Sequence, residues 1–495
     1  MTRAKPKAVH PSLAKAPTGI QGLDEISGGG LPKGRVTLVC GSAGSGKSLL
    51  AMEFLVHGAV EYGEPGVCMD FEETEGKLAA NVASLGFDLR ALAKSEMLLV
   101  DHVSVERNQI AETGEYNLDG LFIRLAHAVK TIKAKRVVLD SIEALFAGLS
   151  DATMLRSELR RLFEWLEDHK LTAVVTGEAG EHTLTRHGLE EYVADCVIAL
   201  DHRVTEQIST RRLRIVKYRG TSHGTDEYPF LIDREGISVV PITSLALAHE
   251  ASTDRISTGI AALDEMMQGK GFFRGSSVLV TGTAGTGKSS LAASFARATC
   301  ARGESCLYFA FEESPNQILR NMRSVGIDLE RWSKKGLLHF HAMRPTSVGL
   351  EGHLAVIHKM VGRLQPSVVI IDPITNLVSA SGVYGVKSML MRLVDFLKVE
   401  QITSMFTNLT FAGDPQERTA AAVSSLMDTW FVLRDSKPNG RQGRELHILK
   451  SRGMAHSREV RELTVSKSGI ELGIVRKSHT PAKAVAGPGA IAVAE

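Results

Sequence analysis

The sequence predicts an α/β protein of two tandem domains, each a mostly parallel β-sheet flanked by helices. Three observations predict it. Several sequence blocks occur twice in the same order; short β-branched runs alternate with longer amphipathic stretches; and a glycine-rich loop joins a strand to a helix once in each copy. The chain has 495 residues, too many for one hydrophobic core.

The repeat comes first, because it organises the rest. Thr18-Gly19-Ile20 and Leu23-Asp24-Glu25 recur as Thr258-Gly259-Ile260 and Leu263-Asp264-Glu265. Phe71-Glu72-Glu73 recurs as Phe311-Glu312-Glu313, and Lys217-Tyr218-Arg219-Gly220 as Lys450-Ser451-Arg452-Gly453. These blocks divide the chain into a basic, flexible N-terminal segment (1–16), a first domain (17–247), a second domain (248–475) and a tail (476–495) whose Ala, Gly, Pro and Val cannot build a core. Within the first copy Val36–Val39, Arg136–Leu139 and Ala173–Thr176 read as strands buried on both faces, and Glu158–His169 as an amphipathic helix. Strands and helices in alternation argue for a parallel sheet covered by helices.

Composition excludes several classes. Hydrophobic residues make up 43% and charged residues 23%, as in ordinary globular proteins. Lys plus Arg number 58 against 56 acids, so no overall basic field marks a nucleic-acid or membrane binder. No uncharged run is long enough to span a bilayer, and the start lacks the apolar core of a signal peptide, so cytoplasm is the expected location. The five cysteines include no Cys-x-x-Cys pair and read as buried thiols rather than disulfides or a zinc site.

The strongest chemical signal is Gly41-Ser42-Ala43-Gly44-Ser45-Gly46-Lys47-Ser48, repeated as Gly282-Thr283-Ala284-Gly285-Thr286-Gly287-Lys288-Ser289. Each follows an expected strand and opens an expected helix, the context a phosphate-binding loop needs. The glycines let backbone N–H groups turn in around phosphate, and the helix N-terminus adds positive potential. Lys47 or Lys288 reaches the terminal phosphates, and Ser48 or Ser289 is the expected Mg2+ ligand. A second magnesium ligand is expected from Asp140 and Asp372, each ending an apolar strand-like run downstream of its loop. The pairs Glu72-Glu73 and Glu312-Glu313 follow further strand-like segments. Such carboxylates either orient and deprotonate a nucleophile attacking a γ-phosphate or are acids favoured at a helix start, and residue types leave both readings open. No Asn-Lys-x-Asp guanine motif and no His-Arg-Asp or Asp-Phe-Gly kinase motif is present, which makes ATP the expected nucleotide.

With these motifs in view, the chain resembles the RecA-like P-loop NTPases and, within them, the KaiC family, over about Pro17–Gly473. The resemblance rests on the doubled phosphate loop, the Phe-Glu-Glu repeats, Lys217-Tyr218-Arg219-Gly220-Thr221-Ser222-His223 and Lys450-Ser451-Arg452-Gly453. It implies a double-ringed homo-hexamer with ATP held between subunits, slow hydrolysis in the first domain and a serine/threonine autokinase in the second, acting as a timing or signalling switch. By resemblance Lys217, Arg219, Lys450 and Arg452 reach the nucleotide of the next subunit; by residue type alone each reads as an exposed basic turn on an edge strand. The acceptors implied are Ser424 and Ser425, a Ser-Ser pair where the best-known members have Ser-Thr, with a minor site at Thr419. In the first copy Glu191 and Tyr192 stand at the acceptor positions. From their repeat position beside the strand that borders the phosphate loop, Glu72 is expected to activate water and Glu312 the acceptor hydroxyl, with Glu73 and Glu313 assisting. The resemblance leaves room for a KaiB-like partner on the first domain. The tail does not match the family's activator-binding segment, which makes a KaiA-like activator doubtful. Two rival readings share the core: a DNA-dependent motor of the RadA or RecA kind, disfavoured by the balanced charge and the lack of a zinc segment, and an ATP-assembled scaffold with little catalysis.

Overall fold

A computed structural model of the protein describes residues 13–103, 118–145, 152–180, 183–186, 188, 193–205, 208–241, 251–410, 424–436 and 443–474. The terminal segments 1–12 and 475–495, the junction at 242–250, and Thr419, Glu191 and Tyr192 lie outside the described residues. The chain divides into two compact units: 1–248 with 345–365 and 379–393, and 249–344 with 366–378 and 394–495.

The first unit is built on a nine-stranded sheet. In chain order its main elements are β1 (Val36–Gly41), α1 (Lys47–Tyr62), β2 (Gly66–Asp70), α2 (Glu75–Ala83), β3 (Leu98–His102), α3 (Asp119–Ile132), β4 (Arg136–Asp140), α4 (Ala152–Asp168), β5 (Thr172–Glu178), β6 (Cys196–Thr205), β7 (Ile208–Tyr218), β8 (Tyr228–Asp233) and β9 (Gly236–Val239). The spatial order is β9-β8-β7-β6-β1-β5-β4-β2-β3. Strands from β6 to β3 pair in parallel; β6 to β9 pair antiparallel. The parallel strands are continuous apolar runs because both faces are covered. Val39, Cys68, Val138 and Val174 enter one core cluster, and their neighbours Leu38, Val67, Val137 and Val175 enter the other.

The second unit repeats this plan with β10 (Ser277–Gly282), α5 (Lys288–Ala301), β11 (Cys306–Ala310), α6 (Pro315–Ser324), β12 (Leu338–Ala342), β13 (Val368–Asp372), β14 (Thr403–Leu409), β15 (Thr429–Ser436), β16 (Gly443–Ser451), β17 (Arg461–Ser466) and β18 (Gly469–Ile474). Its order, β18-β17-β16-β15-β10-β14-β13-β11-β12, matches the first strand for strand. The repeated Thr-Gly-Ile blocks also have a shared physical task. The Asp24 carboxylate accepts hydrogen bonds from the Thr18 amide (2.8 Å) and hydroxyl (2.7 Å). Asp264 does the same for Thr258 at 2.9 and 2.7 Å.

All five cysteines are free and buried. Two expectations are corrected. Lys15 and Ala16, at the end of the segment expected to be flexible, pair with Pro32 and Leu31, and the Lys15 ammonium lies 4.8 Å from the Tyr218 ring centre. The cationic repeats do not sit on edge strands: β7 runs between β6 and β8, and β16 between β15 and β17. No described helix is long and apolar enough to cross a membrane.

Candidate nucleotide sites

Both phosphate loops leave the carboxyl end of the strand at the centre of the sheet, where open α/β sheets place their ligands. In the first unit Gly44 and Gly46 adopt φ of 73° and 107°, backbone that other residues reach only with strain. Gly41 is required for a different reason: a Cβ there would lie 2.5 Å from the Leu200 carbonyl oxygen and 2.6 Å from Ser45 Oγ. Lys47 Nζ donates to the carbonyls of Gly41 (2.9 Å) and Ser42 (3.0 Å), so its ammonium arches over the loop. Lys288 does the same with Gly282 (2.9 Å) and Thr283 (2.7 Å). Burial lowers the pKa of Lys288, opposed by the carboxylates of Asp372, Glu312 and Asp435. The loop lysine and both candidate acids therefore share one electrostatic neighbourhood.

In the first unit the candidate residues converge on one cavity of about 280 Å3, lined among others by Ser48, Asp70, Glu72, Glu73, Asp140 and Ser141. Asp140, in register with Asp70 on the adjacent strand, accepts a hydrogen bond from the Thr176 hydroxyl. Asp70 accepts from the amides of Glu72 (2.8 Å) and Glu73 (2.6 Å), fixing the turn that carries the glutamates. Burial raises the Asp70 pKa against those two amide bonds. Ser141 donates its hydroxyl to Glu72 Oε1 at 2.6 Å, and Asn81 donates to Glu73 at 2.9 Å.

In the second unit a cavity of about 280 Å3 is lined by Glu312, Glu313, Ser314, Gln317 and Arg344 among others; Ser289 and Asp372 are not among its walls. Asp372 accepts from Tyr308 Oη at 2.5 Å and from the Thr407 hydroxyl. Asn321 donates to Glu313 at 2.9 Å, as Asn81 does to Glu73. The start of α6 is capped by a reciprocal Ser314–Gln317 pair, so the glutamates are not what caps that helix.

The hydroxyl and carboxylate at each loop suit Mg2+, which takes one or two protein oxygens and fills its shell with phosphate and water. Among the described residues no three His, Cys, Asp or Glu side chains form an all-protein metal cage, and this ion needs none.

The cationic turns lie at the other end of the sheet. Lys217 pairs with Val197, which is level with Leu38 on β1; the Arg219 amide bonds the Asp195 carbonyl, and the Asp195 amide bonds that of Val36. Gly41 opens the phosphate loop at the opposite end of the same strand, so Arg219 sits about 16 Å from it along the sheet, at ~3.3 Å per residue. The second unit repeats this: Lys450 is opposite Trp430, level with Leu279, and the Arg452 amide bonds the Asp428 carbonyl beside Ser277. Beside these cations stand the two serines expected as acceptors, Ser424 half-buried and Ser425 exposed. Lys450 Nζ donates to the carbonyls of Ser424 (2.9 Å) and Met427 (2.7 Å), and Arg452 to that of Ser425 (2.7 Å).

Sequence reasoning missed Asp70, Ser141, Tyr308 and the two asparagines. Asp70 faces Ala310 in the other copy, and Ser141 faces Pro373, so comparing the copies could not find them. Asn81 and Asn321 do recur at matching places, and that signal was available.

The family model for the ATPase KaiC matches this chain twice, at residues 16–244 and 256–476. The chain is 56% identical over 463 residues to circadian clock protein KaiC2 of Synechocystis sp., covering 93% of this chain and 82% of that protein. It is 38% identical to the circadian clock oscillator protein KaiC of Parathermosynechococcus lividus, with 93% and 85% covered. Against the oscillator protein of Synechococcus elongatus it is 36% identical, with 95% and 91% covered. Two matched ATPase domains, two phosphate loops in the same setting and similarity along nearly the whole chain lead to one conclusion: this chain belongs to the KaiC family.

Proposed function

We propose that the protein hydrolyses ATP in its first domain and transfers phosphate to its own Ser424 and Ser425 in the second, as a ring in which each nucleotide is shared by two copies of the chain. The observation that carries this reading is the register of the cationic turns. Lys217, Arg219, Lys450 and Arg452 occupy the sheet end remote from their own phosphate loops, so the γ-phosphate they serve belongs to an adjoining copy. The serines lie on the segment before β15, whose carbonyls Lys450 and Arg452 hold, and their acceptor oxygens approach that same phosphate.

Each residue then has a role. The loop amides with Lys47 and Lys288 hold the β- and γ-phosphates. Ser48 with Asp140, and Ser289 with Asp372, hold Mg2+, which when bound neutralises phosphate charge. In the first domain Ser141 claims one oxygen of Glu72, leaving the other to orient and deprotonate water, with Glu73 braced by Asn81. In the second, Glu312 accepts the proton of a serine hydroxyl as its oxygen bonds to the γ-phosphorus. The bond from that phosphorus to the β,γ-bridging oxygen breaks, and ADP leaves. The neighbour's Lys and Arg offset the charge that develops. Phosphoserine beside Lys450 and Arg452 is the signalling state, and a KaiB-like protein on the first domain is its proposed reader.

Incubation with ATP and Mg2+, followed by phosphopeptide mapping and by particle mass with and without nucleotide, tests this. Phosphate at Ser424 and Ser425 in ATP-dependent oligomers is expected. A monomer that turns over ATP only with single-stranded DNA would point to the DNA motor instead.

A further inference from the structure

The two units differ by a charge reversal at one place that the repeat motifs do not contain. Thr172 and Thr403 begin matching strands and do the same work: the Gly34 amide donates to Thr172 Oγ1 at 3.0 Å, and the Gly275 amide to Thr403 Oγ1 at 3.0 Å. Five residues before each threonine, at the end of the preceding helix, stand Glu167 in the first unit and Lys398 in the second. Both face the aspartate whose carbonyl anchors the cationic turn, Asp195 or Asp428.

In the second unit Lys398 Nζ lies 3.0 and 2.9 Å from the two Asp428 oxygens, while the Ser277 amide and hydroxyl each donate to Oδ2 at 2.9 Å. Burial alone would raise the Asp428 pKa, yet the Ser277 amide and the Lys398 ammonium together hold it below the usual range. With that carboxylate occupied, Lys450 and Arg452 are turned onto the carbonyls of Ser424, Met427 and Ser425. In the first unit Glu167, Asp195, Arg35 and Arg219 line one cavity of about 860 Å3. Asp195 there engages the arginines, at 3.7 Å from Arg35 and 3.5 Å from Arg219. Desolvation in that cavity, and then the Asp195 carboxylate beside it, raise the Glu167 pKa.

We propose that Lys398 is a positioning residue for the acceptor segment: by occupying Asp428 it commits Lys450 and Arg452 to the backbone of Ser424–Met427, whereas Glu167 at the matching place leaves Asp195 to draw on the cationic turn itself. The charge at this position thus separates a turn that presents a serine segment from one that does not. The inference rests on the autokinase reading for its consequence, though not for its geometry. Replacing Lys398 by an acid puts two carboxylates side by side, and Arg452 is recruited to them.

Lys398→Glu and Lys398→Arg in the full chain test this, read by phosphopeptide mapping with ATP and by deuterium uptake over 424–428. Should Lys398→Glu fail to fold, Lys398→Met, which loses the ion pair without adding charge, takes its place. Phosphate incorporation at Ser424 and Ser425 is expected to fall about tenfold or more, with rescue by Lys398→Arg. Uptake over 424–428 should rise in the Glu or Met variant and stay at the wild-type level in the Arg variant. A wild-type chain that takes up no phosphate would remove the autokinase reading and leave the exchange measurement to decide. Unchanged exchange in Lys398→Glu or Lys398→Met, or a Lys398→Arg as defective as either, overturns the inference.

Discussion

Ser141 and Glu72 are joined by a 2.6 Å hydrogen bond that places the glutamate against the acid-bearing strand, one residue beyond Asp140. The second unit has Pro373 at the serine's place, so this restraint belongs to the first site alone. Removing the carboxylate with Glu72→Gln should lower first-domain ATP turnover about 100-fold or more. Ser141→Ala, which loosens its orientation only, should cost roughly three- to tenfold. Steady-state hydrolysis in a Ser424→Ala/Ser425→Ala background measures both without the autokinase contribution.

The loop lysines should act independently, because each bonds only the carbonyls of its own loop among the contacts described. Lys47→Ala or Lys288→Ala removes a charge-assisted contact to phosphate of about 1.5–3 kcal/mol, equivalent to roughly ten- to a hundredfold in affinity. Nucleotide stoichiometry should fall from two to about one per chain in either variant at limiting ATP, and to none in the double variant.

Glu53 links α1 to β9: it is buried, and its Oε1 accepts the Ile237 amide at 2.8 Å. Burial pushes its pKa up to about 7, opposed by that amide and reinforced by Asp233. The carboxyl holds its proton more tightly folded than unfolded. Its favourable contribution is thus complete below the ordinary value near 4.5 and is lost as pH rises through about 7. Glu53→Gln, which keeps an acceptor and removes the charge, should flatten that decline. Above pH 7 it should be the more stable protein, by on the order of 3 kcal/mol. Chemical denaturation at about pH 5 and pH 8 provides the check.

How far the sequence could be read depended on whether a feature was local and repeated. The loops, the acids at Asp140 and Asp372 and the buried strands were legible because a phosphate cradle and a two-faced parallel strand each impose a contiguous pattern. The Thr18–Asp24 and Thr258–Asp264 clasps were visible as a repeat, but their hydrogen bonds were not. Asp70, Ser141 and Tyr308 escaped because each works across strands and differs between the copies. The opposition of Glu167 and Lys398 was hidden for a related reason. It matters only once Asp195 and Asp428 are brought beside these residues by a fold that joins distant segments. The edge-strand reading of the cationic turns failed because strand neighbours are set by topology, which a basic turn does not encode.

A shared site requires that one copy's serines be served by another copy's nucleotide. Co-expressed mixed oligomers of a Lys288→Ala chain with intact serines and a Ser424→Ala/Ser425→Ala chain with an intact loop give the most direct measurement, by phosphopeptide mapping of each chain. At limiting ATP, phosphate should appear on the Lys288→Ala chain, whose own second-domain loop is then left empty. Mixed particles that form, beside a wild type that phosphorylates itself, yet leave those serines unmodified would contradict the account.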